Sequence, residues 1–255
     1  MLKISRYVLY DIARNKVVLA YTLFLLLVSL GLFQVEENPS KALLSLLNII
    51  LIVVPLVSMV FATIHWYNSY EFLELLLTQP LGRNKVLLSE WAGIGGSLTF
   101  AFVAGVGVPV LIYGGSAAGV SLLVVGVLLT LAFTSLAFLA SVCSRDKARG
   151  IGAALLLWFF FALIYDGLVL LILFAFSDYP LEGITLALSC FNPVDLGRIY
   201  IMLHLDVSAL MGYTGAVYKD FLGTAAGMAV TLGILALWVV LPLAIANRIF
   251  RRKDL

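Results

Sequence analysis

Residues 91–144 read WAGIGGSLTFAFVAGVGVPVLIYGGSAAGVSLLVVGVLLTLAFTSLAFLASVCS. No Asp, Glu, Lys or Arg interrupts these 54 residues, whereas one passage through a bilayer core takes about 20 apolar residues. The run suffices for two crossings, and Gly114-Gly115-Ser116 supplies the turn that a hairpin needs at its middle. Each crossing must be helical, because an isolated strand leaves its amides unpaired in lipid. The rest of the chain agrees. Of its 255 residues 63% are apolar and 12% charged, with a mean hydropathy of +1.10; soluble domains run about 45–50% apolar and roughly 25% charged. No water-soluble globule of this length can bury so much apolar surface. Composition therefore excludes a soluble enzyme, a disordered chain and a nucleic-acid binder.

Outward from this stretch, apolar runs predict six spans: Val17–Phe33, Ala42–Ile64, Ala92–Tyr113, Ala118–Val142, Gly150–Phe176 and Leu222–Ala246. Pro55, Pro109 and Pro242 fall inside spans and predict kinks rather than ends. With the N-terminus in the cytoplasm, 13 of the 16 Lys and Arg residues lie inside; only Lys41, Arg198 and Lys219 lie outside. The positive-inside rule thus predicts a multi-pass protein of the cell's inner membrane with both termini cytoplasmic. Cys143 and Cys190 then face opposite sides, so no disulfide joins them. The first apolar run starts only at Val17 and no small-residue cleavage site follows it, so no cleaved signal peptide is expected.

Three segments stand apart from the spans. Residues 1–16 predict an amphipathic helix lying in the lipid interface, Ile4, Val8 and Ile12 on one line and Lys3, Arg6 and Arg14 opposite. Residues 65–91 form the longest cytoplasmic segment, with a helix, a break and a second helix. Glu71, Glu74 and Thr78 make a polar stripe beside Phe72, Leu73, Leu75, Leu76 and Leu77; Pro80-Leu81-Gly82 turns the chain, and Arg83 and Lys85 open the next run. Such a helix can dock in another protein's groove or rest on lipid. Residues 177–221 form the longest outer segment. Two short apolar halves broken at Asn192-Pro193 are each too short to cross, which predicts a re-entrant hairpin. No internal repeat divides the chain, so 1–255 reads as a single domain.

Three motifs carry a family resemblance. LELLLTQPLGR followed by VLLSEW and a new span, LLLWFFFALIYDGLVLL in the fifth span and FNPVDLGRIY in the outer segment, with the basic RIFRRK end, resemble NosY-type permeases, membrane subunits of the type-2 ABC transporter class. Where many members carry Glu-x-x-Gly-Thr before the leucines, this chain reads Tyr67-Asn68-Ser69-Tyr70-Glu71-Phe72. The resemblance implies a homodimer that binds a cytoplasmic NosF-like ATPase, itself the holder of ATP and Mg. It also implies a coupling helix over 70–82 (Glu71, Glu74, Thr78, Pro80, Gly82, Arg83), a periplasmic β-helical NosD-like partner, and maturation of the copper sites of nitrous oxide reductase, whether by copper or by sulfur. The resemblance further implies outer helices that cap the translocation path, with Asn192, Pro193, Asp195 and Arg198 in the cap. The fold expected is an all-α integral membrane protein of six transmembrane helices, an N-terminal interfacial helix, a cytoplasmic coupling helix and a re-entrant outer hairpin between spans five and six.

Some chemistry follows from the residues themselves. The chain has no G-x-x-x-x-G-K-[ST] phosphate loop, so it is read as a non-catalytic subunit without a cofactor of its own. Asp166 is the one ionisable residue deep in a predicted span, which marks it for a functional role or a structural pairing; Arg198 reaches it if the outer segment dips inward. Cys190, Met202, His204 and Met211 suit copper as donor types, but their spacing makes no compact ligand set, and no metal site is expected. His65 reads as an interfacial side chain. Two rivals remain: a type-2 exporter permease for another substrate, and a proton-coupled secondary transporter using Asp166, against which the lack of repeats and of further buried ion-coupling groups argues. An intramembrane enzyme ranks last, since two histidines near opposite faces build no dyad.

Overall fold

Side-chain caps decide where the long helices begin. Asn15 accepts from the Val17 amide, and Asn38 from the Ser40 amide just beyond Pro39. Ser116 accepts from Gly119 and Asp146 from Arg149; each cap satisfies an otherwise orphaned donor. The computed structural model describes residues 12, 15–78, 82–144, 146–176, 182–205, 218–219 and 221–252. The interfacial helix expected over 1–16 lies almost wholly outside these, as do Pro80, Met211 and the side chain of Glu74.

The described residues form α1 (Lys16–Val35), α2 (Pro39–Asn68), α3 (Tyr70–Leu77), α4 (Arg83–Tyr113), α5 (Ala117–Cys143), α6 (Lys147–Ala175), α7 (Glu182–Cys190), α8 (Pro193–His204) and α9 (Ala225–Arg252). Six of them, α1, α2, α4, α5, α6 and α9, are long and apolar enough to cross a membrane, while α7 and α8 are a pair bent by 116°. The fold is the expected all-helical one, but the spans outrun their hydropathy limits. α2 continues to Asn68 and α4 starts at Arg83 rather than Ala92. The 65–91 segment is thus mostly helix ends around the short α3. The amphipathic first turns of α4 bury Val86, Leu87 and Ile94, a pattern a hydropathy average dilutes.

α5 is the axis of the bundle: it packs against α9, α2, α8, α4 and α6, and 67% of its membrane window is buried against 11% for α6. Its hydroxyls do not open a polar path. Thr130, Thr134, Ser135 and Ser141 donate to carbonyls four residues earlier, as Ser97 does on α4, which suits close helix packing. α6 turns Leu156, Leu171 and Phe174 outward, a surface for hydrocarbon.

The three prolines act differently. α2 runs through Pro55 and α9 through Pro242; in the turn before Pro55 the Ile52 carbonyl accepts from Trp158 Nε1 at 3.2 Å. Ahead of Pro109, α4 widens into a π-turn at Val103–Gly107, the irregularity that accommodates a residue with no amide hydrogen. A second π-turn, Phe160–Ile164, interrupts α6.

Gly126 of α5 lies against the Phe102 ring of α4 so closely that a Cβ there would overlap the ring, and Phe102 is wholly buried and cannot swing away. Gly126→Ala should therefore cost about 1–3 kcal/mol by overpacking, read as a lower melting temperature in nanodiscs. Gly233→Ala, where a Cβ meets nothing within 4 Å, is the control expected to stay at the wild-type value. Equal melting of the two variants would remove this contact from the packing argument.

Candidate functional site

The π-turn of α6 positions the first site. Its Phe161 carbonyl accepts from Asn192 Nδ2 at 3.0 Å, and Asn192 Oδ1 accepts from the Val194 amide at 3.0 Å. One wholly buried asparagine therefore caps α8, ahead of Pro193 at the helix start, and ties it to the irregular turn of α6. The carbonyls at the end of α7 are answered from the spans: Leu188 by Tyr165 Oη at 2.7 Å and Cys190 by Trp238 Nε1 at 3.1 Å. In a membrane such bonds let a helix break without stranding its backbone. The hairpin also packs tightly on α5, since a Cβ on Gly197 would stand 2.8 Å from Val125 Cγ1.

The hairpin so held brings Asp166, Asp195 and Arg198 together. Arg198 Nη1 lies 2.8 Å from Asp166 Oδ2 and 3.4 Å from Asp195 Oδ1. Two carboxylates thus share one guanidinium, and the buried Asp166 Oδ1 has no hydrogen-bond partner. The three line a cavity of about 200 Å³ with Thr185, Ser189 and Tyr218, and the Ser189 and Tyr218 hydroxyls are 2.6 Å apart. Asp166 lies nine residues from the end of α6, roughly 14 Å at the helical rise.

The second site lies at the other end, the basic end, where Lys147 Nζ donates to Asn68 Oδ1 at 2.8 Å and Arg83 Nη1 to the Arg251 carbonyl at 3.4 Å. There α3 divides its leucines. Leu73 and Leu76 are buried, whereas Leu75 is 66% and Phe72 38% exposed. Glu71 stands exposed in the first turn, where the helix dipole favours an acid. Thr78 Oγ1 bonds back to the Leu75 carbonyl at 2.8 Å, and Gly82 is the N-cap of α4.

Besides the half-buried Asp166, a second acid lies on a membrane-length helix. Glu90 of α4 is 1% exposed, and His65 Nδ1 of α2 stands 3.3 Å from its Oε1. The third span expected from hydropathy begins at Ala92, which puts Glu90 in the second helix of the 65–91 segment, ahead of the span. The signal was there in Val86, Glu90 and Ile94, one helix face at i, i+4 and i+8. Cys190 ends α7, while Met202 and His204 share α8, with His204 Nδ1 2.9 Å from the Tyr200 carbonyl oxygen. No group of three or more His, Cys, Asp or Glu able to hold a metal occurs among the described residues.

Comparison with known proteins agrees with this architecture. Residues 49–255 match the family described as ABC-2 family transporter protein. The probable ABC transporter permease protein NosY of Pseudomonas aeruginosa is 30% identical over 273 residues, spanning 99% of this chain and 98% of that protein. The protein of the same description from Stutzerimonas stutzeri is 29% identical over 276 residues, spanning 98% and 97%. With six apolar helices, a short amphipathic helix at one end and a bent helical pair at the other, this chain belongs to the ABC-2 transporter permease family and resembles its NosY-type members.

Proposed function

We propose that this permease subunit transmits the stroke of a separate NosF-like ATPase, which binds ATP and Mg, to a periplasmic event, the maturation of the copper sites of nitrous oxide reductase with a NosD-like β-helical partner. The single observation that carries the reading is α3. Leu73 and Leu76 root it in the bundle while Glu71, Phe72 and Leu75 are presented outward, as a docking helix requires. The basic residues around α3 support a position at the cytoplasmic face of the inner membrane, with both termini on that side. Two copies, one ATPase on each, complete the complex. At the opposite face the α7–α8 hairpin meets the outer partner, and Asp166, Asn192, Pro193, Asp195 and Arg198 hold the hairpin on α6.

Affinity purification of the tagged protein from its native membrane in mild detergent, with mass spectrometry and an ATPase assay, tests the proposal. A soluble ATPase and a β-helical protein are expected in one eluate. An ATPase without the β-helical protein would redirect the proposal to a type-2 exporter of another substrate. No ATPase in any of several detergents would overturn it and leave the Asp166 cluster to be tested as a proton-coupled carrier.

A further inference from the structure

Glu90 is two turns into α4, and neither of its carboxylate oxygens finds a hydrogen bond. A carboxylate so buried is among the costliest groups a core can hold unless a counter-charge answers it. His65 is the polar side chain beside it, with Nδ1 3.3 Å from Oε1. The same nitrogen lies 3.2 Å from Oγ of Ser69, the single residue between α2 and α3. One imidazole therefore touches the joint ahead of α3 and the helix that follows it.

The surrounding bonds give this contact its weight. The end of α2 is tied to α5 and α6, through Tyr67 Oη to the Ser141 carbonyl at 3.2 Å and through Lys147 to Asn68. The first turns of α4 are tied to α9, through Arg83 and the Arg251 carbonyl, and to α5, through Trp91 Nε1 and Ser135 Oγ at 3.0 Å. The His65–Glu90 contact links α2 directly to α4 where the two helices flank α3.

We propose that His65 and Glu90 form a buried clasp that positions the coupling helix and makes the flanking ends of α2 and α4 move as one body. Its role in transmission rests on the reading of α3 as the segment that receives the ATPase stroke; the clasp itself does not. His65 and Glu90 are positioning residues in this account, acting through α3 on whatever the complex drives.

The test uses the full-length protein in nanodiscs. His65→Gln and Glu90→Gln should each lower the melting temperature by about 5 °C or more, because each leaves one buried partner unanswered. The double His65→Gln/Glu90→Gln variant, an uncharged amide pair of similar shape, should recover about half of that loss or more. Spin labels at Asn68→Cys and Lys85→Cys, with Cys143 and Cys190 changed to serine, should report a narrow distance in the wild-type background. The distance distribution should widen about twofold in either single variant and narrow again in the double. Additive melting losses, or single variants as narrow as wild type, would overturn the clasp. Failure of the wild-type protein to retain an ATPase would count against the transmission reading, while the melting cycle and the distances still decide the clasp.

Discussion

Arg198→Gln should lower the melting temperature in nanodiscs by about 5–15 °C, whereas Asp195→Asn should leave it unchanged or raise it. The asymmetry follows from charge. Removing the guanidinium leaves two partly buried carboxylates without their shared cation; removing one carboxylate leaves a neutral one-to-one pair. Breaking a fully buried pair costs about 3–5 kcal/mol. Because Asp166 and Arg198 are each about 30% open to the cavity, a loss of about 2–4 kcal/mol is expected, which for a chain of this size is about 2–4 °C per kcal/mol. Asp166→Asn should fall between, since it gives up the 2.8 Å contact but not the 3.4 Å one. An Arg198→Gln protein that melts within 2 °C of wild type would dismantle the cluster as an energetic unit.

How much of this was readable in advance depended on the length of the signal. Spans are written in twenty-residue runs, so all six were legible, and so was the hairpin, because Asn192-Pro193 both caps and breaks. That Asp166 needs a partner is a one-residue argument from the cost of charge in lipid, and Arg198 was the candidate within reach. The third member, Asp195, was named only as part of the outer cap; its membership follows from lying three residues before Arg198 on α8. Other features had no such signature. The π-turn at Phe160–Ile164, which offers the Phe161 carbonyl to Asn192, depends on packing among α6, α8 and α9, not on local composition. Glu90 was hidden because hydropathy starts a span at its first dense apolar run, and α4 begins two turns earlier with a mixed face. The split of α3 into rooted and presented leucines was likewise undecided: Phe72, Leu73, Leu75 and Leu76 are all apolar, and only the direction from which α2 and α4 approach separates them.

That split supplies the other large effect. Phe72→Asp/Leu75→Asp should weaken capture of the ATPase by about 100-fold or more, since each truncated apolar anchor in a protein interface is worth on the order of 2 kcal/mol and a buried aspartate adds a desolvation cost. The fold should survive, because both side chains are substantially exposed and melting should stay near the wild-type value. Leu73→Asp is the contrasting variant. Leu73 is 3% exposed, so a charge there should unseat α3 from the bundle and lower stability and capture together. Glu71→Lys tests the electrostatic part alone: as a rim charge it should alter association rate and salt dependence more than the dissociation rate. Binding of the purified ATPase to nanodisc-held variants, followed by surface-based kinetics beside thermal melting, separates the cases. If the double aspartate variant still binds at wild-type strength, the outward face of α3 is not the docking surface, and the stroke must enter through the basic end of α9 or the start of α4 instead.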